Sequence, residues 1–155
     1  MAWIARTVVV VAGIAGGIVT SQAPEFAQQY RQRLGGALQE LRAVVEDFDA
    51  DAAKSNLTRS QALSAYRASA NAFLRDRGVS IGATIRRYES LRRQAALFES
   101  WPDAVSPAVL VGESDTELIG GAWQDFRPGV PVTFAGLIWA AIGFALGALV
   151  AQGGR

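Results

Sequence analysis

The fold class the sequence predicts is all-α: two transmembrane helices, one at each end, flanking an antiparallel helical hairpin or small bundle. Three observations predict it. The run from Ala2 to Ser21 carries one charge, at Arg6. The run from Val132 to Ala151 carries none. Between them apolar residues recur at spacings of three and four, the helical period, and no stretch alternates as a half-buried strand would.

The first run, VVVVAGIAGGIVTSQAP at its heart, admits two readings. Twenty helical residues at about 1.5 Å each span about 30 Å, the thickness of a bilayer's hydrocarbon core. Arg6 sits at the edge, where a long side chain reaches the headgroups. The uncharged core from Thr7 is also short enough for a signal-peptide core, and Ser21 and Ala23 are small, as a cleavage site requires. Pro24 would then follow the cut directly, a poor fit for a signal peptidase. The expectation is a retained anchor at 2–21.

Pro24 interrupts a straight continuation and suits the first turn of a new helix. Tyr30, Leu34, Ala37, Leu41, Val44 and Phe48 then form one apolar stripe to about Asp51. Gly35 and Gly36 sit inside it, at a cost of about 1 kcal/mol each against alanine, and point to close packing or a bend. AAKSNLT makes a turn, and Thr58 with Gln61 has the form of a capping box. A second helix carries Leu63, Tyr66, Ala70 and Phe73 and is weakened by Gly78. A third resumes at Ser80 with Ile81, Ile85, Tyr88, Leu91, Ala95 and Phe98 on one face, and ends at Trp101-Pro102. A looser stretch follows to Gly112. Ser114 to Glu117 reads as a second capping box, opening a short helix with Leu118, Ile119, Ala122 and Phe126 inward. RPGVP, Arg127 to Pro131, forces a non-helical link. The extramembrane domain is thus 22–131.

VTFAGLIWAAIGFALGALVA, 132–151, is the strongest signal in the chain, and a helix apolar all round belongs in lipid. Both spans carry small residues at helical spacing: Gly13 and Gly17 in the first, Gly136, Ala140, Gly143 and Gly147 in the second. Such faces let helix backbones approach closely, as a packed pair of spans or as a dimer. Arg6 and Arg155 flank the spans at the two termini and point to both in the cytoplasm, while Arg31, Arg33 and Arg127 beside the spans argue in part for the reverse. The middle domain is then outside, in a bacterial periplasm.

Composition excludes much chemistry. Cysteine and histidine are absent, so there is no thiol nucleophile, no imidazole base and no His/Cys zinc site. Net charge is +1, which provides no field to recruit nucleic acid. In EDFDAD, Asp47, Asp49 and Asp51 mimic the first ligands of a calcium loop, but the required glycine and glutamate positions hold Ala52 and Thr58. An enzyme built on Asp47 and Asp49 would lack a second convergent acid–base group. Neither a cofactor nor a metal is expected, and the protein is expected not to be an enzyme.

RRYESLRR places Arg86 and Arg93 on one helix face. That face is either a headgroup or phosphate site or an ion-paired surface opposite the acids of the first long helix. Gln29, Tyr30, Gln32 and Arg33 form a polar collar near the membrane. These four with Arg86 and Arg93 are the expected interaction surface. The expected partners are membrane lipids and either a membrane protein or a second copy of the chain.

A short anchor, SQAPEFAQQYRQRLGG, then Phe73 with RRYESL, then FRPGVPVT before a final span, resembles an uncharacterised proteobacterial family of two-span membrane proteins, a domain of unknown function (DUF2937-like). The segments Gln29–Arg33 and Phe126–Pro131 carry the resemblance, which covers most of the chain. It implies a bacterial inner-membrane protein and supplies no activity, cofactor or catalytic residue. The function expected is that of an accessory or scaffold subunit making protein–protein contacts. The alternative is a protein that binds lipid or a small ligand through membrane-proximal arginines.

Overall fold

The computed structural model describes residues 2–112, 114–129 and 133–153. Among them the secondary structure is helical throughout: α1 (Ala2–Ser21), α2 (Ala23–Lys54), α3 (Arg59–Ala68), α4 (Ala72–Ser100), α5 (Ser106–Gly112), α6 (Thr116–Asp125) and α7 (Phe134–Gly153), with a 3-10 turn at Asp103–Val105. The chain divides into two compact units. One is Met1–Arg33 with Leu97–Arg155; the other is Leu34–Ala96.

The first unit is built on α1 and α7. Two helical segments, one beginning within α1 and the other being α7, are long and apolar enough to cross a membrane. Only 17% and 11% of their most apolar windows are buried, whereas the core helix of a soluble domain would be mostly buried. α7 begins two residues later than expected; Pro131 and Val132 lie outside the described residues. The helices run antiparallel in close contact. A Cβ placed on Gly17 would lie 2.9 Å from the carbonyl oxygen of Ala140, and one on Gly13 would lie 2.7 Å from the Phe144 ring. Gly16 and Gly143 meet backbone to backbone, as do Gly147 and Ala12. The small-residue faces therefore pack one span on the other.

α1 ends and α2 begins across Gln22 alone, with Pro24 in the first turn of α2, where its missing N–H costs nothing. Above the spans, Tyr30 and Phe98 are fully buried against each other, ring centroids 6.0 Å apart. The stretch before Gly112, expected to be loose, is instead a 3-10 turn running into α5. The cap of α6 also differs from expectation. Asp115 rather than Ser114 is the N-cap, its carboxylate accepting from the N–H groups of Glu117 and Leu118. Aspartate adds a negative charge at the positive end of the helix dipole, which serine does not.

The second unit packs the remainder of α2, α3 and the first part of α4 around Val45, Ile81 and Ile85, with Phe48, Leu63 and Tyr88 against them. Val45, not the expected Val44, turns inward; Val44 is exposed. The turn after α2 is tight, with Asn56 at φ 57°, and Thr58 and Gln61 form the expected capping box. The next helix break is at Ser69–Asn71, not at Gly78. Asn71 Oδ1 takes the N–H of Phe73, and the Arg75 guanidinium takes the carbonyls of Ser69 and Ala70. These side chains satisfy backbone groups that a break leaves open. Phe73 consequently starts α4 and is exposed. Gly78 lies mid-helix because α3 crowds it: a Cβ there would sit 2.6 Å from Cβ of Tyr66.

Candidate functional site

The foot of the hairpin, where α1 gives way to α2 and the link from α6 enters α7, gathers the most unusual polar contacts. Gln22 grips the backbone of Gly129 in both directions, its amide nitrogen donating to the carbonyl and its amide oxygen accepting from the N–H, each at 2.9 Å. Trp139 Nε1 donates to the Ala104 carbonyl at 2.7 Å, holding the 3-10 turn to α7. Phe26, Trp123 and Phe126 form an aromatic trio with centroids 5.5–6.1 Å apart. Trp123 remains exposed.

Beside this foot lies a cavity of about 740 Å³. Glu25, Gln28, Arg31 and Gln32 line it from α2, Asp103, Ala104 and Ser106 from the 3-10 turn and the start of α5, and Thr133 to Ala135 from the start of α7. Arg31 pairs with Asp103 at 3.2 Å, both side chains at least half exposed. The lining is mixed: charged and amide side chains stand beside Pro24 and Ala27 of α2 and Phe134 and Ala135 of α7.

The second unit carries a separate charge cluster. Arg59 forks onto Asp49 at 2.8 and 2.5 Å and reaches Glu89 at 3.6 Å. The Arg59 hydrogen bonds hold the Asp49 carboxyl below its ordinary range. Arg42 pairs with Glu46 and Lys54 with Asp51 along α2. In EDFDAD, Asp49 thus meets Arg59 of α3, and Glu46 and Asp51 meet Arg42 and Lys54 of their own helix, not Arg86 and Arg93. No ion pair among the described residues engages those two arginines, and both are exposed.

The residues of the expected interaction surface fall in different surroundings. Arg86 and Arg93 belong to the second unit and the collar residues to the first. Tyr30 is fully buried and its hydroxyl accepts the N–H of Asp115 at 3.0 Å, so it is a packing residue. Arg33 is committed to Asp125, and lies over Gly121, where a Cβ would strike its guanidinium. Gln32 is exposed and lines the cavity; Gln29 is half-buried. Of the span-packing set, Gly13, Gly17, Ala140, Gly143 and Gly147 lie in the α1–α7 contact, and Gly136 is buried. Gly16 and Thr20 belong to the contact and were not anticipated; the pair Gly16-Gly17 was a legible signal, since either can face a neighbour. Ser106 of the cavity had no sequence signal at all.

No curated protein and no solved structure matches the chain. The model of a family described as a protein of unknown function (DUF2937) matches residues 4–153. The chain belongs to that family.

Proposed function

We propose that this is an integral membrane protein of a bacterial inner membrane, serving as a non-catalytic accessory or scaffold subunit. Its helical domain makes protein–protein contacts with a membrane partner or a second copy. One observation carries the membrane part: α1 and α7 bury their small-residue faces on each other while Ile4, Val8, Ile14 and Ile18, and Phe134, Leu137, Leu146 and Leu149, stay exposed. Apolar faces of that extent are stable in lipid and aggregation-prone in water. Exposed Phe73 and Val79 in the second unit, and Val111 in the first, supply apolar surface suited to a partner.

The test is retention through alkaline carbonate extraction, followed by crosslinking and copurification of a tagged copy at native level in mild detergent. A strictly monomeric particle with no copurifying protein counts against the scaffold role. Termini in the cytoplasm and a periplasmic middle complete the proposal, and a compartment reporter fused near Asn56 decides it.

A second reading, lipid binding, is favoured by the cavity at the foot of the hairpin. It lies at the start of α7 and is lined by both charged and apolar side chains, the two chemistries a phospholipid presents at its headgroup boundary.

A further inference from the structure

We propose that the cavity between α2, the 3-10 turn and the start of α7 binds a phosphodiester bearing a primary ammonium, the headgroup chemistry of phosphatidylethanolamine. The inference rests on the reading of α1 and α7 as membrane spans and deepens the lipid-binding reading.

Its first support is Ser106. The residue is 6% exposed, lines the cavity, and its Oγ has no hydrogen-bond partner among the described residues. A buried hydroxyl without a partner is destabilising, and a phosphate oxygen in the cavity would accept its hydrogen bond. The second support is the charge on the walls. Arg31 contributes one positive charge and Glu25 and Asp103 two negative ones. Arg31 offers a guanidinium fork to phosphate. A purely anionic headgroup, however, would face walls of net negative charge. A zwitterion places its phosphate at Arg31 and Ser106 and its ammonium at Glu25 and Asp103. The third support is hydrogen-bonding capacity. A primary ammonium donates three hydrogen bonds, which the carboxylates and the amides of Gln28 and Gln32 can accept. A trimethylammonium donates none and is recognised by aromatic cages; among the described residues Phe134 is the one aromatic side chain lining this cavity. The size is sufficient, since ligand sites run from about 300 to 1,000 Å³.

The test uses the full chain purified in mild detergent and exposed to equimolar phosphatidylethanolamine, phosphatidylglycerol and phosphatidylcholine, with native mass spectrometry reading the bound lipid. One phosphatidylethanolamine per chain is expected, preferred about tenfold over the other two. Arg31→Gln and Ser106→Ala each reduce its retention about tenfold, while Arg93→Gln leaves it unchanged. Ser106→Ala also serves as a folding control: without ligand it leaves the protein as stable as before or more so, because it removes an unpartnered hydroxyl. Competition by glycerophosphoethanolamine, the headgroup without acyl chains, would support the site chemistry with a soluble source; failure to compete assigns it to the lipid. Equal retention of the three lipids, or retention indifferent to Arg31→Gln and Ser106→Ala, overturns the proposal. Carbonate extraction of the same membranes separates the two readings. Protein that stays embedded but shows no lipid preference sinks the cavity alone, whereas protein that washes off sinks the membrane reading beneath it.

Discussion

Thr20 Oγ1 lies 2.6 Å from the carbonyl oxygen of Trp139, so a side chain of α1 hydrogen-bonds the backbone of α7. Its own-helix alternative, the Gly16 carbonyl, is farther at 2.9 Å. The hydroxyl has one proton, and the shorter contact takes it. Thr20→Val keeps the shape and removes the donor. In membrane helix pairs such a bond contributes about 0.6–2 kcal/mol, so this variant should unfold earlier in an SDS titration of detergent-purified protein. Thr7→Val is the comparison. Among the described residues Thr7 bonds to Trp3 of its own helix alone, and its loss should move the midpoint little.

Gly16 faces the backbone of Gly143, with no flexible side chain between them to yield. Gly16→Val should therefore force the helices apart rather than be absorbed by a rotamer change. Overpacking commonly costs about 1–3 kcal/mol, and the rigid backbone places this case at the upper end. Loss of the compact form on SDS gels would report it. Gly13→Ala should cost less, because its neighbour is the Phe144 ring, which can turn aside.

The spans, the capping box at Thr58 and the apolar face of α4 were legible in the sequence because each depends on local pattern. Twenty uncharged residues, a Thr-x-x-Gln spacing and a period of 3.6 need no knowledge of distant neighbours. The errors arose where distant contacts decide. Gly78 resembled a break because the presence of Tyr66 across from it is invisible in one dimension. Tyr30 resembled a membrane-facing collar residue because its polar neighbours outweighed it, yet the partner of its hydroxyl, Asp115, lies 85 residues away. Arg59 carries no sequence mark as the partner of Asp49, because the arginines at 86–93 offer a denser positive cluster while the turn that folds α3 back onto α2 is what brings Arg59 into reach. The cavity depends on three segments remote in sequence, and Ser106 matters there only through burial.

Gly35 and Gly36 were candidates for close packing, but a Cβ on either meets nothing within 4 Å. Both lie in continuous helix, and neither has positive φ. Alanine at each should therefore stabilise the protein by about 0.5–1 kcal/mol, the helix-propensity difference between the two residues. Thermal unfolding of Gly35→Ala and Gly36→Ala checks this. A loss of stability would show that something covers this face in the working protein.

Asn56 adopts φ 57° at the turn between α2 and α3. Asparagine tolerates that left-handed conformation, glycine adopts it freely, and branched side chains pay about 1–2 kcal/mol for it. Asn56→Gly should be nearly neutral and Asn56→Val destabilising by about that amount. The difference between the two midpoints isolates backbone strain from any loss of the asparagine side chain.

Asp49 and Arg59 make a two-pronged ion pair in the second unit, and its pH dependence has a definite sign. The hydrogen bonds from Arg59 lower the Asp49 carboxyl below its ordinary value in the folded protein. The pair's contribution is therefore complete above the ordinary aspartate range, about pH 4, and is lost as pH falls through the lower folded value. Both side chains are more than a third exposed, so solvent screening holds the contribution to about 0.5–1 kcal/mol. Asp49→Asn should lower stability by that amount at pH 7. It should also flatten the decline of the second unit's stability between pH 5 and the folded value, since asparagine does not titrate. Asp51→Asn provides the contrast, because its partner Lys54 is three residues away on the same exposed helix surface, where solvent screens the pair. If the two variants show the same pH profile, the fork of Arg59 onto Asp49 is not what sets the acid limb.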